Sequence, residues 1–158
     1  LVTLGEMTFS VDGEPVDFSK TVTYKGMAYS DVPNLASSFG YIRASWTLRA
    51  DLTCEYVCRL LNHMTLTNTV QCTPRLRDGD RSMQLRPWIE DFSAGYIQRS
   101  MDQLPKQGDR EPWINPQSYT ADRKMFRNSA VAAGVRQFVS ARSRVAVGPP
   151  SEAWRPAG

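Results

Sequence analysis

The sequence predicts a mixed α/β fold, and three observations carry that expectation. Asp12-Gly13 sits between two stretches of loosely alternating polarity, as in a tight β-hairpin. Leu35 to Ile42 is short, uncharged and bounded by turn residues, the pattern of a mostly buried strand. In the helix expected over Leu48 to His63 and just past it, apolar residues recur from Leu48 at 52, 56, 57, 60, 61 and 64, which is a helical period with one broad buried face. A strand feeding a helix through a turn of small residues is a common way to aim free backbone N–H groups at a ligand.

Taken in order, Met7 to Val11 and Glu14 to Phe18 form the arms of the first hairpin. Pro15 cannot donate to a ladder and so belongs on an edge. Thr21 to Lys25 is rich in β-branched and aromatic residues and should be extended, ending at Gly26. Ser30 to Asn34 is a turn. In the strand that follows, Ala36, Ser37, Ser38 and Gly40 suit a place where another backbone or a ligand comes close, or close packing alone.

The turn Arg43-Ala44-Ser45-Trp46-Thr47 opens the long helix, with Ser45 or Thr47 able to cap it. Arg49, Asp51, Glu55 and Arg59 mark its wetter side, and Glu55 with Arg59 makes a favourable i, i+4 pair. Cys54 and Cys58 stand four apart within the apolar stripe and are expected to be buried and reduced. They lack the second ligand pair of a zinc site. His63 closes the helix, where a cation meets the negative end of the dipole.

Thr65 to Asp80 shows no periodicity and reads as surface loop. A second helix is expected over Ser93 to Leu104, stopped by Pro105, and a short third one over Ser118 to Arg127. After Phe138 the chain turns to Ser, Arg, Gly and Pro, and residues 139–158 are expected to be disordered.

With 158 residues, 41% hydrophobic and 22% charged, the chain can bury a core of its own. Its net charge of +3 comes from scattered arginines, with no basic stripe interleaved with aromatics, so no nucleic-acid partner is expected. No apolar run reaches the ~20 residues of a membrane span. Three cysteines without paired spacing or a leader read as a cytoplasmic protein. The first residue is Leu rather than Met, so the sequence is expected to start within a longer protein.

No residue set forms a convincing catalytic constellation. There is one histidine, no serine lies in a Gly-x-Ser-x-Gly elbow, and Phe39-Gly40-Tyr41 has one glycine where a dinucleotide loop needs three. The residues alone support a ligand-facing helix N-terminus.

Longer strings say more. Asp31 to Ile42, Ala44 to Leu52, Glu55 to Asn62, Phe92 to Tyr96, Leu104 to Trp113 and Tyr119 to Arg127 together resemble the C-terminal, flavin-side segment of bacterial flavin-containing monooxygenases. The branch they resemble most is the Baeyer–Villiger type with mycobacterial members, and the likeness spans residues 1–138. Arg43 stands where the family pattern has Asn.

The resemblance implies the C-terminal fragment of an FAD/NAD(P)-binding flavoprotein with two dinucleotide-binding domains. Residues 1–64 would complete the FAD-binding domain and residues 65–138 would pack on it as a loop and helical tail. It also implies FAD and NADPH as cofactors of the parent enzyme. One oxygen atom from O2 would enter a ketone, or be placed on a sulfide sulfur or an amine nitrogen, through a flavin C4a-peroxide. By the same likeness, Ala44, Ser45, Trp46 and Thr47 would touch the flavin's pyrimidine edge, where negative charge gathers on reduction.

The family's phosphate-binding loops, NADPH site and catalytic arginine lie outside this sequence, so the fragment alone is expected to be inactive. The alternative is a non-catalytic interaction module, or a truncated relic, that keeps the family's tail. Substrate identity and oligomeric state are not written in the sequence.

Overall fold

A computed structural model describes residues 3–90, 95, 99–131 and 136–140. The first hairpin pairs β1 (Ser10–Val11) with β2 (Glu14–Pro15) in antiparallel register. Its turn is made by Asp12 at φ 53° and Gly13 at φ 88°. Two consecutive left-handed residues match the right-handed twist of the flanking strands, which is why Asp-Gly is favoured there. Behind it Phe18 meets Phe9 and Tyr29 edge-on, at ring-centre distances of 5.4 and 5.0 Å.

The extended stretch expected from Thr21 onward is β3 (Thr23–Tyr24), and it folds back through Lys25 and Gly26 onto β4 (Ala28–Tyr29). All ten residues from Thr21 to Ser30 are buried, which makes this second hairpin the centre of the molecule. Gly26 has φ +64°, and a side chain there would overlap the Arg49 guanidinium. Only glycine serves at such a position.

Helix α1 (Trp46–Leu66) begins two residues earlier and ends three later than the sequence pattern indicates. Its inward face is Arg49, Leu52, Thr53 and Tyr56. Arg49, expected on the wet side, is 1% exposed, whereas Leu61 of the apolar stripe is 56% exposed. The reason is a charge: Asp122 of helix α2 (Tyr119–Arg127) is also fully buried and pairs with Arg49, turning α1 toward it. The same rotation leaves Cys54 and Cys58 exposed, contrary to expectation, while Cys72 is buried. The anticipated Glu55–Arg59 pair does not form. Glu55 binds Arg127 at 3.0 Å, and Arg59 donates to the Phe126 carbonyl at 2.6 Å.

Two further corrections concern strands. The stretch from Leu35 to Ile42 is extended but joins no ladder. Its polar backbone is satisfied elsewhere: Ser37 N–H donates to the Met27 carbonyl at 2.7 Å and Ile42 N–H to Gln117 Oε1 at 3.1 Å. Conversely, the loop expected after Thr65 contains β5 (Thr69–Pro74). It pairs antiparallel with β8 (Arg136–Ser140), Cys72 opposite Phe138.

Val139 and Ser140 therefore lie in a strand rather than in a disordered tail; residues 141–158 lie outside the described part. β6 (Arg86–Pro87) and β7 (Lys106–Gln107) form the remaining ladder. Of the helix expected over Ser93 to Leu104, residues 93, 94 and 96–98 fall outside the described part, and the stretch from Arg99 to Leu104 is a turn with one 3-10 turn at Met101–Gln103 rather than a continued α-helix, with Leu104 buried. Among the described residues, the sheet structure is thus four antiparallel two-stranded ladders, with one isolated parallel bridge between Val22 and Lys106.

The main core joins Val22, Tyr24, Met27, Leu52, Tyr56, Trp113, Met125 and Phe126 across the second hairpin and both helices. No described helix is long and apolar enough to cross a membrane.

Candidate functional site at the start of the long helix

The path into α1 is pinned at several points. Asn34, at φ 54°, accepts from Cys72 N–H at 2.9 Å and donates to the Val70 carbonyl at 3.0 Å, fixing the segment to β5. The Ser37 and Tyr29 hydroxyls lie 2.8 Å apart. Phe39 stands between two indoles, 5.0 Å from Trp46 and 4.9 Å from Trp88. The Trp46 ring lies so close over Gly40 that any side chain at 40 would overlap it. The small residue expected to allow a close approach does so here, and what approaches is an indole.

After Ile42 the chain surfaces. Arg43, Ala44, Ser45, Trp46 and Thr47 are all exposed, and Trp46 retains 58% of its accessible surface. Ser45 occupies the N-cap position with φ −61° and ψ 134°, but its side chain caps nothing. Its hydroxyl is instead 2.7 Å from that of Thr47. Among the described residues no side chain caps the first turn of α1, whose N–H groups lack partners within the helix by construction. This end of α1 can receive an acceptor or an anion, with Arg43 beside it.

A cavity of about 400 Å³ opens next to the turn, walled by Ile42, Arg43, Arg86, Gln107, Asn115 and Gln117. Arg86 is held by Glu90 at 3.0 Å and by the Gly108 carbonyl at 3.0 Å. Gln117, at φ 52°, donates to the Gly40 carbonyl at 3.5 Å as well as accepting from Ile42. No local pattern signals this brace, which lies 75 residues further along the chain.

One turn deeper lies a buried polar cluster that the sequence did not announce. Arg49 pairs with Asp122 and also donates to the Lys25 carbonyl at 2.8 Å and to Asn115 Oδ1 at 3.2 Å. Burial pushes the Asp122 carboxyl up, and the Arg49 charge opposes that shift. The Tyr41 hydroxyl is raised by burial first and by the nearby Asp122 second. Lys25 Nζ donates to the Met125 carbonyl at 2.9 Å, and burial lowers its ammonium to about 8. The cluster anchors the start of α1 and leaves the first turn free.

The structure thus brings Ala44, Ser45, Trp46 and Thr47 together at one exposed helix end. His63 sits at the opposite end of α1, its ring centre 5.1 Å from that of Phe138. No group of ligating side chains that could hold a metal occurs among the described residues.

The chain's relatives agree on one class of protein, the flavin-containing monooxygenases. The FAD-containing monooxygenase EthA of Mycobacterium tuberculosis is 45% identical over 127 residues, which is 80% of this chain and 25% of that protein. EthA of Mycolicibacterium smegmatis is 41% identical over 141 residues, covering 89% of this chain and 28% of that one. A protein named "Probable FAD-binding monooxygenase AlmA", from Acinetobacter baylyi, is 40% identical over 136 residues, 85% of this chain and 27% of the relative. The chain matches a C-terminal fragment of an EthA-like enzyme and spans about a quarter of the length of these curated relatives. No family model and no solved structure matches it.

Proposed function

We propose that this chain forms one wall of the flavin site in an FAD- and NADPH-dependent monooxygenase, with Ala44, Ser45, Trp46 and Thr47 facing the flavin. The observation that carries the reading is the uncapped, exposed first turn of α1 within a sequence that matches FAD-containing monooxygenases. A bound flavin would supply the redox chemistry of an NADPH-dependent monooxygenation, one oxygen atom of O2 going to a ketone, a sulfide or an amine and the other to water.

The residues present fit the polar edge of such a group. The free N–H groups of Trp46 and Thr47 offer donors, and the helix dipole favours negative charge there by roughly 0.3–1 kcal/mol when exposed. Trp46 presents an exposed aromatic face beside those donors. Arg49, Asp122 and Gln117 hold the helix start and the incoming chain in place, so the donors are fixed before a ligand arrives. No Gly-rich phosphate cradle occurs in the sequence, so the chain supplies orientation and charge stabilisation rather than the whole site.

Replacing the matching C-terminal part of M. tuberculosis EthA with this chain tests the reading. The chimera is expected to purify yellow and to oxidise NADPH, whereas the chain alone does neither. A folded, colourless chimera would sink the proposal, as would tight FAD binding by the chain on its own.

A further inference from the structure

Helix α1 carries two exposed thiols, Cys54 and Cys58, while Cys72, the third cysteine of the chain, is buried. The Arg49–Asp122 pair turns the face of Arg49, Leu52, Thr53 and Tyr56 inward, and the two thiols are thereby carried to the outer face. Four residues apart on one helix, they stand one above the other at a distance of one turn.

The span of this pair decides what it can hold. Side chains at i and i+4 of a helix keep their Cβ atoms about 5–6 Å apart. A disulfide needs about 3.5–4.5 Å between the same atoms, so the two sulfurs do not join directly while this turn of α1 is intact. An acceptor atom placed between the sulfurs adds a further bond length and covers the difference. Zinc is a poor fit, because a structural zinc takes four ligands and no group of three ligating side chains occurs among the described residues. The acceptor that fits is soft, matching thiolate, and has two open positions that call for no other protein ligand.

We propose that Cys54 and Cys58 form a two-thiol site for a trivalent arsenical with one organic substituent. In water such a compound carries two hydroxyls on arsenic. Each thiol forms one S–As bond, and its proton leaves with one hydroxyl as water. Two S–H and two As–O bonds break, arsenic stays trivalent, and nothing is oxidised or reduced. The closed ring fastens one turn of α1 to the next and leaves the buried face of the helix untouched. The proposal does not rest on the flavin reading.

Phenylarsine oxide added to the full chain tests it, in buffer without added thiol. A chromogenic disulfide is expected to titrate Cys54 and Cys58 in the folded chain. One equivalent of the arsenical should remove both, as an adduct of a single chain in native mass spectrometry. Dimercaprol should release it, and glutathione at the same concentration should not. Cys54→Ser and Cys58→Ser should each bind about a hundredfold more weakly, since the second S–As bond is no longer intramolecular. Cys54→Ser/Asn62→Cys keeps the four-residue spacing one turn further along, at an exposed position, and should regain tight binding. Loss of only one thiol per arsenical, an adduct holding two chains, full affinity in either single-serine variant, or no recovery in the respaced double variant would each overturn the proposal.

Discussion

Arg49 of α1 and Asp122 of α2 form an ion pair with almost no exposed surface, 1% on the arginine side chain and 0% on the aspartate. It joins the two helices across the hairpin that fills the core, and it decides which face of α1 turns inward. Arg49 makes three interactions at once, and Gly26 leaves room for its guanidinium. Removing one partner leaves a buried charge without compensation. Asp122→Asn should therefore destabilise the protein by about 3–5 kcal/mol in urea unfolding. The double variant Arg49→Met/Asp122→Leu should recover much of that loss, since replacing both charges with apolar groups is often neutral.

Lys25 gives a pH dependence whose sign can be worked out. Burial holds its folded-state ammonium near 8, below the ordinary 10.5. Below pH 8 the amine is protonated in both states and the folded state bears the cost of the buried charge. Between about 8 and 10.5 the unfolded chain binds the extra proton, so this group adds stability as pH rises, on the order of 3 kcal/mol over the window. Cys72 works the other way: its thiol is pushed up to about 11 by burial, so stability is lost once the unfolded thiol ionises above about 9. The difference between the wild type and Lys25→Met isolates the lysine. In urea unfolding from pH 7 to 10, the wild type should gain on the variant steadily above pH 8, and parallel profiles would contradict the assignment.

What the sequence made legible was local. Asp12-Gly13 encodes its own turn, and α1 and α2 are placed to within a few residues by local pattern, although neither Ser45 nor Ser118 caps its helix with a side chain. Partners far along the chain were invisible. β5 read as loop because Thr69 to Pro74 is short and its mate begins at Arg136, beyond any local pattern. Leu35 to Ile42 has the short, uncharged, turn-bounded pattern of a buried strand, yet Gln117 and Met27 take the hydrogen bonds that a ladder would use.

Hydropathy counts a charge such as Arg49 as wet unless its counter-ion is known, and Asp122 lies 73 residues away. At the candidate site the same division holds. The helix end at Ala44 to Thr47 was readable, whereas the braces that fix it were not.

Gly40 tests how the approach to that helix end is packed. A Cβ at this position would overlap the Trp46 indole, which is itself more than half exposed. The ring can therefore swing outward instead of breaking the fold. Gly40→Ala should cost about 1–3 kcal/mol, the usual range for overpacking. It should also change the near-ultraviolet circular dichroism, because Trp46 leaves its contact with Phe39. The same substitution in a Trp46→Phe background should cost less, since a smaller ring clears the new methyl group. Equal costs in both backgrounds would mean that Trp46 is not what Gly40 accommodates.

Ser45→Asp separates the structural role of the helix start from the flavin role proposed for it. Ser45 holds the N-cap position without capping, so an aspartate there can accept from the first turn and favour the positive end of the dipole. In this chain alone the change should stabilise folding by about 0.3–1 kcal/mol, a gain that fades with added salt. In the EthA chimera the same carboxylate would stand where the reduced flavin places its negative charge. The flavin midpoint potential should then fall, even though the helix is more stable. A stabilised helix with an unchanged potential would keep the capping argument and remove Ser45 from the flavin's surroundings. A lowered potential would require the cofactor to lie within electrostatic reach of this one side chain.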